Sequence, residues 1–426
     1  MTSAILIIVL FVILALLMLT RKLPTLLAIP LMAIGIAIIA GIPLGGEQGI
    51  LSNIIQGGVT RLATAYVAVI FGAWLSQIMT QTGISKSIIK FAAELGGDRP
   101  LLITLLLAIA IAILFTTIGG LGAFIMVGSI ALPIMLSLGL PPVSAASIFL
   151  FAFGVGITIN LGNWAFYVDA TGVPLEVVKT FALSLAGVTA VLTFVFILIE
   201  FKKAGIRKHW VKPELNNQAE VRDEKVPKLA LFTPIVPLLF VLVFNWPIVP
   251  SFIAGLIFAM ITLHKSFAET VNIITKSAYD GISDVAPVIV LMMGIGMLLK
   301  TVFHPQVSAI MEPFLNAVIP SSTIGYILFF SLLAPLALYR GPLNMWGLGS
   351  GIVGLIISLG LLPAPAAMSA LLATERVQAI GDPTNTHNVW LANYVGVSVN
   401  DILKKLLGYI WVLAAIGVII AAVLYM

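Results

Sequence analysis

The chain has 426 residues, of which 60% are hydrophobic and 9% charged, against about 25% charged in an average soluble domain. So few charges cannot cover the surface of a soluble fold of this length. The net charge of +5 is too small and too localised to mark a nucleic-acid partner, and the absence of cysteine removes disulfide, iron–sulfur and thiol chemistry.

A membrane span needs about 20 apolar residues. In chain order, residues 3–20 have no basic stretch before them and no small-residue cleavage site after them, so they read as a retained span, not a signal peptide. A second span is expected over 24–43. Residues 48–62 are too polar to cross and are expected to lie along the interface as a connecting arm before a span over 64–83. Residues 100–140 are apolar but interrupted at Thr116, Thr117, Ile118, Gly119 and Gly120. This pattern predicts a re-entrant hairpin whose glycines let the tip turn and bring backbone N–H groups to a ligand. A glycine-lined helix contact would use the same residues.

The segment 142–172 reads as a broken helix, interrupted from Thr158 through Asn160 and Asn163. At such a break, carbonyls and amides can hold a cation, or N–H groups a carboxylate. Asp169 belongs either to that site or to the outer surface. A span over 180–200 ends the first half.

Between Phe201 and Lys228 lie eight of the 22 Lys and Arg residues, which makes this loop cytoplasmic by the positive-inside rule. Arg21, Lys22, Lys86, Lys90 and Arg99 fall on the same side if 100–140 is re-entrant. The first half then makes five crossings, an odd number, so a second half built alike enters in the opposite sense and both termini are external.

After the loop, spans are expected over 230–246, 250–264 and 285–302, with 267–280 as an interfacial arm. A second hairpin over 322–360 turns at Tyr339 to Asn344, a second broken helix over 364–396 is interrupted from Gly381 to Asn388, and a span over 406–426 closes the chain. Pro383 removes a backbone donor and ends the helix near Asp382. The halves resemble each other: Ser137 to Pro142 reads against Ser358 to Pro363, and Asn53 against Asn272, at offsets of 221 and 219 residues. The period is far too long for a solenoid and indicates a duplicated half. The chain divides into a first repeat over 1–205, the cytoplasmic loop over 206–228, and an inverted repeat over 229–426.

Arg340 is costly in lipid and should face a partner or an anion, a substrate carboxylate first of all. Asp382 is the expected coupling residue, taking up a proton or ligating a cation with Thr384, Asn385 and Asn388. His387 is either a proton relay or a hydrogen-bonded structural residue. Glu375 and Arg376 project about 100° apart on a helix and need not pair with each other. Either could neutralise Arg340 or Asp382, or form a structural ion pair. No nucleotide-binding Gly-Lys-Ser/Thr loop, metal-ligand cluster or Ser/His/Asp set is present. An enzyme is not expected, nor any cofactor beyond an ion gradient.

The stretches Thr116 to Pro133, Asn160 to Gly172 and Gly381 to Val397 resemble the ion transporter superfamily, most closely its citrate–metal symporter branch and gluconate-permease relatives. The resemblance implies an all-α polytopic fold of two inverted repeats. In it, scaffold helices and a transport domain of two hairpins and two broken helices move as an elevator, within a homodimer in the cytoplasmic membrane. By carry-over, Thr116, Thr117, Gly119, Gly120, Asn160 and Asn163 form one half of the site. Arg340, Asn344, Asp382, Thr384, Asn385, His387 and Asn388 form the other, and Thr158 and Asn160 assist the coupling ion. Citrate–metal symporters are expected to carry acids at the first tip, where this chain has only Thr and Gly, so a metal complex is disfavoured. The expected activity is H⁺- or Na⁺-coupled symport of a small organic anion such as citrate, gluconate or a dicarboxylate; the alternative is a Na⁺/H⁺ antiporter with Asp382 binding both ions in turn.

Overall fold

A computed structural model describes residues 2–206 and 226–426, and among them every regular element is helical. Proline and glycine set many of the helix ends. Pro100, Pro142 and Pro305 occupy first turns, where the missing N–H has no helical partner to lose. Gly172, Gly205 and Gly396 end helices in the left-handed conformation that costs glycine least. The outer surface is apolar: Ile5, Leu6, Val9, Val12, Ile13 and Leu16 of the first helix, Thr2–Leu19, are all exposed. In lipid such side chains lose nothing by facing outward.

Five helices among the described residues are long and apolar enough to cross a bilayer: Thr2–Leu19, Ile50–Gln81, Leu175–Ala204, Phe267–Val302 and Val399–Tyr425. Counting two bent pairs as spans raises this to seven; Pro142–Thr158 meets Leu161–Thr171 at 55°, and Pro305–Val318 meets Thr323–Leu332 at 94°. The chain is a multi-pass membrane protein.

Three expectations change. Residues 267–280 are not a separate arm: Ser266 and Glu269 form a capping box and the helix runs unbroken for 36 residues over Phe267–Val302. Residues 48–62 likewise feed into a span: a wide helical turn over Ile50–Gln56 leads through Gly57–Thr60 to Ala63–Gln81. Residues 230–246 hold no full span, only a short turn over Lys228–Phe232 and the eight-residue helix Ile235–Leu242, about 12 Å long. Pro234 and Pro247 bracket that helix, which explains its shortness. Most of the basic loop at 206–228 lies outside the described residues.

The arms Pro100–Phe115 and Leu121–Ser137 have 16 and 17 residues, about 24–26 Å, short of the roughly 30 Å hydrocarbon core. In the second half the corresponding arms are Thr323–Leu332, continued by a tighter turn over Ala334–Arg340, and Gly349–Ser358. Helices Ala364–Gly381 and Thr386–Val395 follow, as Pro142–Thr158 and Leu161–Thr171 do in the first half.

Helices from the first and second halves of the chain pack as antiparallel neighbours. Glu200, near the end of Leu175–Ala204, pairs with Lys405, near the start of Val399–Tyr425, at 2.5 Å. At the other end Tyr425 donates its hydroxyl to the Val177 carbonyl at 3.2 Å. The two long helices also run antiparallel, with Gly58 against Met297 and Gln81 donating to Asp280 at 2.8 Å. In the broken pair, Arg376 donates to Thr158 at 3.1 Å, whereas Gly154 lies against Ile380.

Candidate functional site

Each broken helix is tied to the hairpin tip of its own half by the residue at its break. Asn160 accepts from the backbone N–H groups of Gly162 and Asn163 at 3.1 and 3.3 Å, capping Leu161–Thr171. Its amide nitrogen donates back to the carbonyls of Phe115 and Ile118 at 3.0 and 3.3 Å, which ties the tip to the break. Thr116 reinforces this with its carbonyl, which accepts from Leu161 N–H at 3.3 Å. Gly120 turns the tip at φ +87° and ψ 159°, a conformation open essentially only to glycine.

Asp382 holds the equivalent place in the second half. Its Oδ1 accepts from the Thr384 N–H and hydroxyl at 2.7 and 2.6 Å, and its Oδ2 accepts from the Tyr339 N–H at 2.5 Å. The last bond secures a tip in which Tyr339 and Arg340 both have left-handed backbones, φ 57° and 54°, costing about 1–3 kcal/mol each. Asn344 completes the tip by donating to the Ala337 carbonyl at 3.3 Å and accepting from Trp346 N–H at 2.8 Å. A side chain at Gly347 would collide with the Arg340 backbone, so this turn closes only around glycine.

Both centres face one cavity of about 480 Å³. Of the residues expected in the site, Thr117, Gly119, Gly120, Asn160, Asn163, Arg340, Thr384, Asn385 and His387 line it. The expected residues outside the lining shape its walls. Thr116 and Thr158 bond within their own helices, to the carbonyls of Ile113 at 2.7 Å and Gly154 at 2.6 Å. Asn388 donates to the carbonyls of Ile380 and Asp382 at 3.2 and 2.9 Å. Asp382 is wholly buried behind the wall with three donors already on its carboxylate.

Arg340 donates Nη1 to the Trp346 carbonyl at 2.9 Å, which fixes one edge of a guanidinium that carries five donors. His387 is packed among aromatic rings, with its centroid 5.0 and 5.1 Å from those of Phe124 and Phe153, and sits 3.3 Å from the Ala379 carbonyl. Asp169 accepts from Ala65 N–H at 2.9 Å at the start of Ala63–Gln81, half-buried and outside the cavity lining.

Further polar residues near the cavity were not singled out from the sequence as site residues. Trp346, Gln378 and Glu375 line the cavity, Gln378 donating to Asn385 at 2.5 Å. Asp284, from the long helix Phe267–Val302, accepts from Gln77 at 2.5 Å and lies against Gly120 and Gly122. The first hairpin tip therefore has an acidic neighbour supplied by the other half of the chain. The Glu375–Arg376 pair was visible as two adjacent charges in an apolar helix, but its partners were not. The two residues pair with each other after all, at 2.8 Å, because long side chains bend back across the 100° between them.

Residues 67–304 match the DcuC family, the C4-dicarboxylate anaerobic carriers, and not the citrate–metal branch suggested by the short motifs. No curated protein matches the sequence. Among solved structures, the YdaH transporter of Alcanivorax borkumensis, described as having an unusual topology, is similar over 89% of both chains at 14% identity, with a TM-score of 0.66. MtrF of Neisseria gonorrhoeae, described with a class of antimetabolite efflux pumps, is similar over 88% of this chain and 83% of its own, at 13% identity and a TM-score of 0.59. At such identities these two likenesses speak for the fold alone. The chain belongs to the DcuC family of C4-dicarboxylate anaerobic carriers and is a membrane transporter.

Proposed function

We propose that the protein carries a C4-dicarboxylate across the cytoplasmic membrane by symport with H⁺ or Na⁺, binding it in the cavity where the two hairpin tips and the two helix breaks converge. The observation that carries this reading is Arg340 at the cavity wall, sharing the lining with the neutral Thr117, Gly119, Gly120, Asn160 and Asn163 of the first half. A guanidinium offers paired donors to one carboxylate. The amides and backbone groups of the first tip and break offer donors to the other, and carbonyls to a cation. The cavity volume is within the usual range for small-molecule sites.

Antiparallel pairing of corresponding helices supports two inverted repeats, and with them alternating access about a central site. The mutual stitching of tip and break in each half supports their movement as a rigid transport domain in an elevator, with the long helices as scaffold. A homodimer and a cytoplasmic basic loop belong to the same reading. The antiporter alternative would have Asp382 exchange Na⁺ and H⁺; three donors already on that carboxylate argue against it.

The test is uptake of labelled succinate by the purified protein in proteoliposomes under an imposed H⁺ or Na⁺ gradient. Succinate should accumulate, and fumarate should compete where citrate and gluconate do not. Failure of every dicarboxylate to enter or compete, with Na⁺ instead driving proton efflux, would replace this reading with the antiporter.

A further inference from the structure

Among the described residues, Glu375 is the one carboxylate in the lining of the cavity, and it shares that space with Arg340. It is 2% exposed and its partners are buried as deeply: Arg376 Nη2 at 2.8 Å, and the Tyr167 hydroxyl, which donates to Oε1 and Oε2 at 2.9 and 3.0 Å. Arg376 continues to Thr158 at the first helix break, so this network links that break to the helix Ala364–Gly381 that leads into the second. Asp382, by contrast, lies outside the lining and is saturated by backbone and hydroxyl donors. The residue best placed to sense both substrate and water is Glu375.

Charge counting points the same way. The formal charges of Arg340, Arg376, Glu375 and Asp382 cancel one another. A dianion adds two negative charges to a site surrounded by hydrocarbon, where uncompensated charge is costly. A proton on Glu375 removes one of them and releases the Arg376 charge from its internal partner.

Resting on the dicarboxylate-carrier reading, we infer that Glu375 is the proton-coupling site: it binds a proton from the aqueous phase as the dianion enters and surrenders it when the substrate leaves. Of the groups facing it, Tyr167 and Arg376 are bonded to it, Arg340 and His387 share the cavity lining, Asp382 lies behind the wall, and Asp284, bonded to Gln77, adjoins the first tip. The packed helices Pro142–Thr158 and Gly349–Ser358 contain no titratable residue. On the other neighbours, Glu200 is paired with Lys405, Glu176 with Lys179, and Tyr326 donates to the Ala366 carbonyl at 2.8 Å.

The experiment uses the full-length protein in proteoliposomes with labelled succinate. For the wild type, one unit of inward pH gradient should raise accumulation about tenfold per coupled proton. Glu375→Gln should abolish accumulation above equilibrium while still exchanging internal for external succinate, at a lower rate that no longer varies with pH. Retained gradient-driven accumulation in Glu375→Gln overturns the inference. So does wild-type uptake that responds to Na⁺ and not to pH, although the carrier reading survives that result. Absence of any wild-type dicarboxylate transport removes the carrier reading itself. If Glu375→Gln neither exchanges nor accumulates, Tyr167→Phe decides. Loss of a donor to the ionised carboxylate favours its protonated form, so the pH midpoint of exchange should move upward, and an unmoved midpoint overturns the inference.

Discussion

Arg340 and Asp382 were both singled out by their charge, yet their surroundings give them different work. Arg340 faces open space with one edge pinned by the Trp346 carbonyl. Arg340→Ala should therefore lower succinate uptake about 100-fold or more, as expected when a desolvated charge pair loses a partner; near-normal uptake would remove Arg340 from the site. Asp382 is the keystone of a strained tip. Asp382→Asn places an N–H₂ among three donors, and should lower stability by about 1–3 kcal/mol, read as an earlier thermal transition in detergent. The pH dependence of the remaining transport should stay as in the wild type. A changed pH profile with unaltered stability would restore the coupling role first expected of Asp382.

At the scale of elements, the unit of construction is a hairpin tip locked to a broken helix. Asn160 does this with two functions in one side chain: its oxygen caps Leu161–Thr171 and its nitrogen holds the tip through Phe115 and Ile118. The two can be separated. Asn160→Asp keeps the cap and loses the donor, whereas Asn160→Ala loses both. Caps contribute about 0.5–2 kcal/mol and a net hydrogen bond about 0.5–1.5 kcal/mol. Melting measurements should place Asn160→Asp between wild type and Asn160→Ala, and both variants should transport more slowly because the tip is no longer held. Equal stability of the two substitutions would show that the stitch to the hairpin contributes nothing.

At the scale of the whole molecule, the antiparallel pairing of Leu175–Ala204 with Val399–Tyr425 makes a prediction about sidedness. The chain has no cysteine, so single cysteines report without interference. Lys203→Cys and Asp401→Cys should be labelled by an impermeant maleimide from one side of the membrane. Glu176→Cys and Leu424→Cys should be labelled from the other. Labelling of Lys203→Cys and Asp401→Cys from opposite sides would contradict the inverted arrangement.

The sequence by itself determined the solvent and the secondary structure. Low charge and long apolar runs leave lipid as the only environment, and helix is the only open-ended way to satisfy the backbone there. It also marked where helices stop, because Gly120, Asn160, Pro383 and their neighbours interrupt helices through local backbone chemistry. The short helix at Ile235–Leu242 and the unbroken Phe267–Val302 were harder to read. Apolar content alone does not register a proline bracket or a capping box. What only the tertiary structure decided was which polar groups meet. Whether Asp382 faces the cavity or a set of backbone donors, whether Glu375 pairs with Arg376, and whether Asp284 reaches the first tip depend on contacts between residues up to about two hundred positions apart. Those contacts arise from antiparallel packing of the two halves, and local sequence carries no record of them.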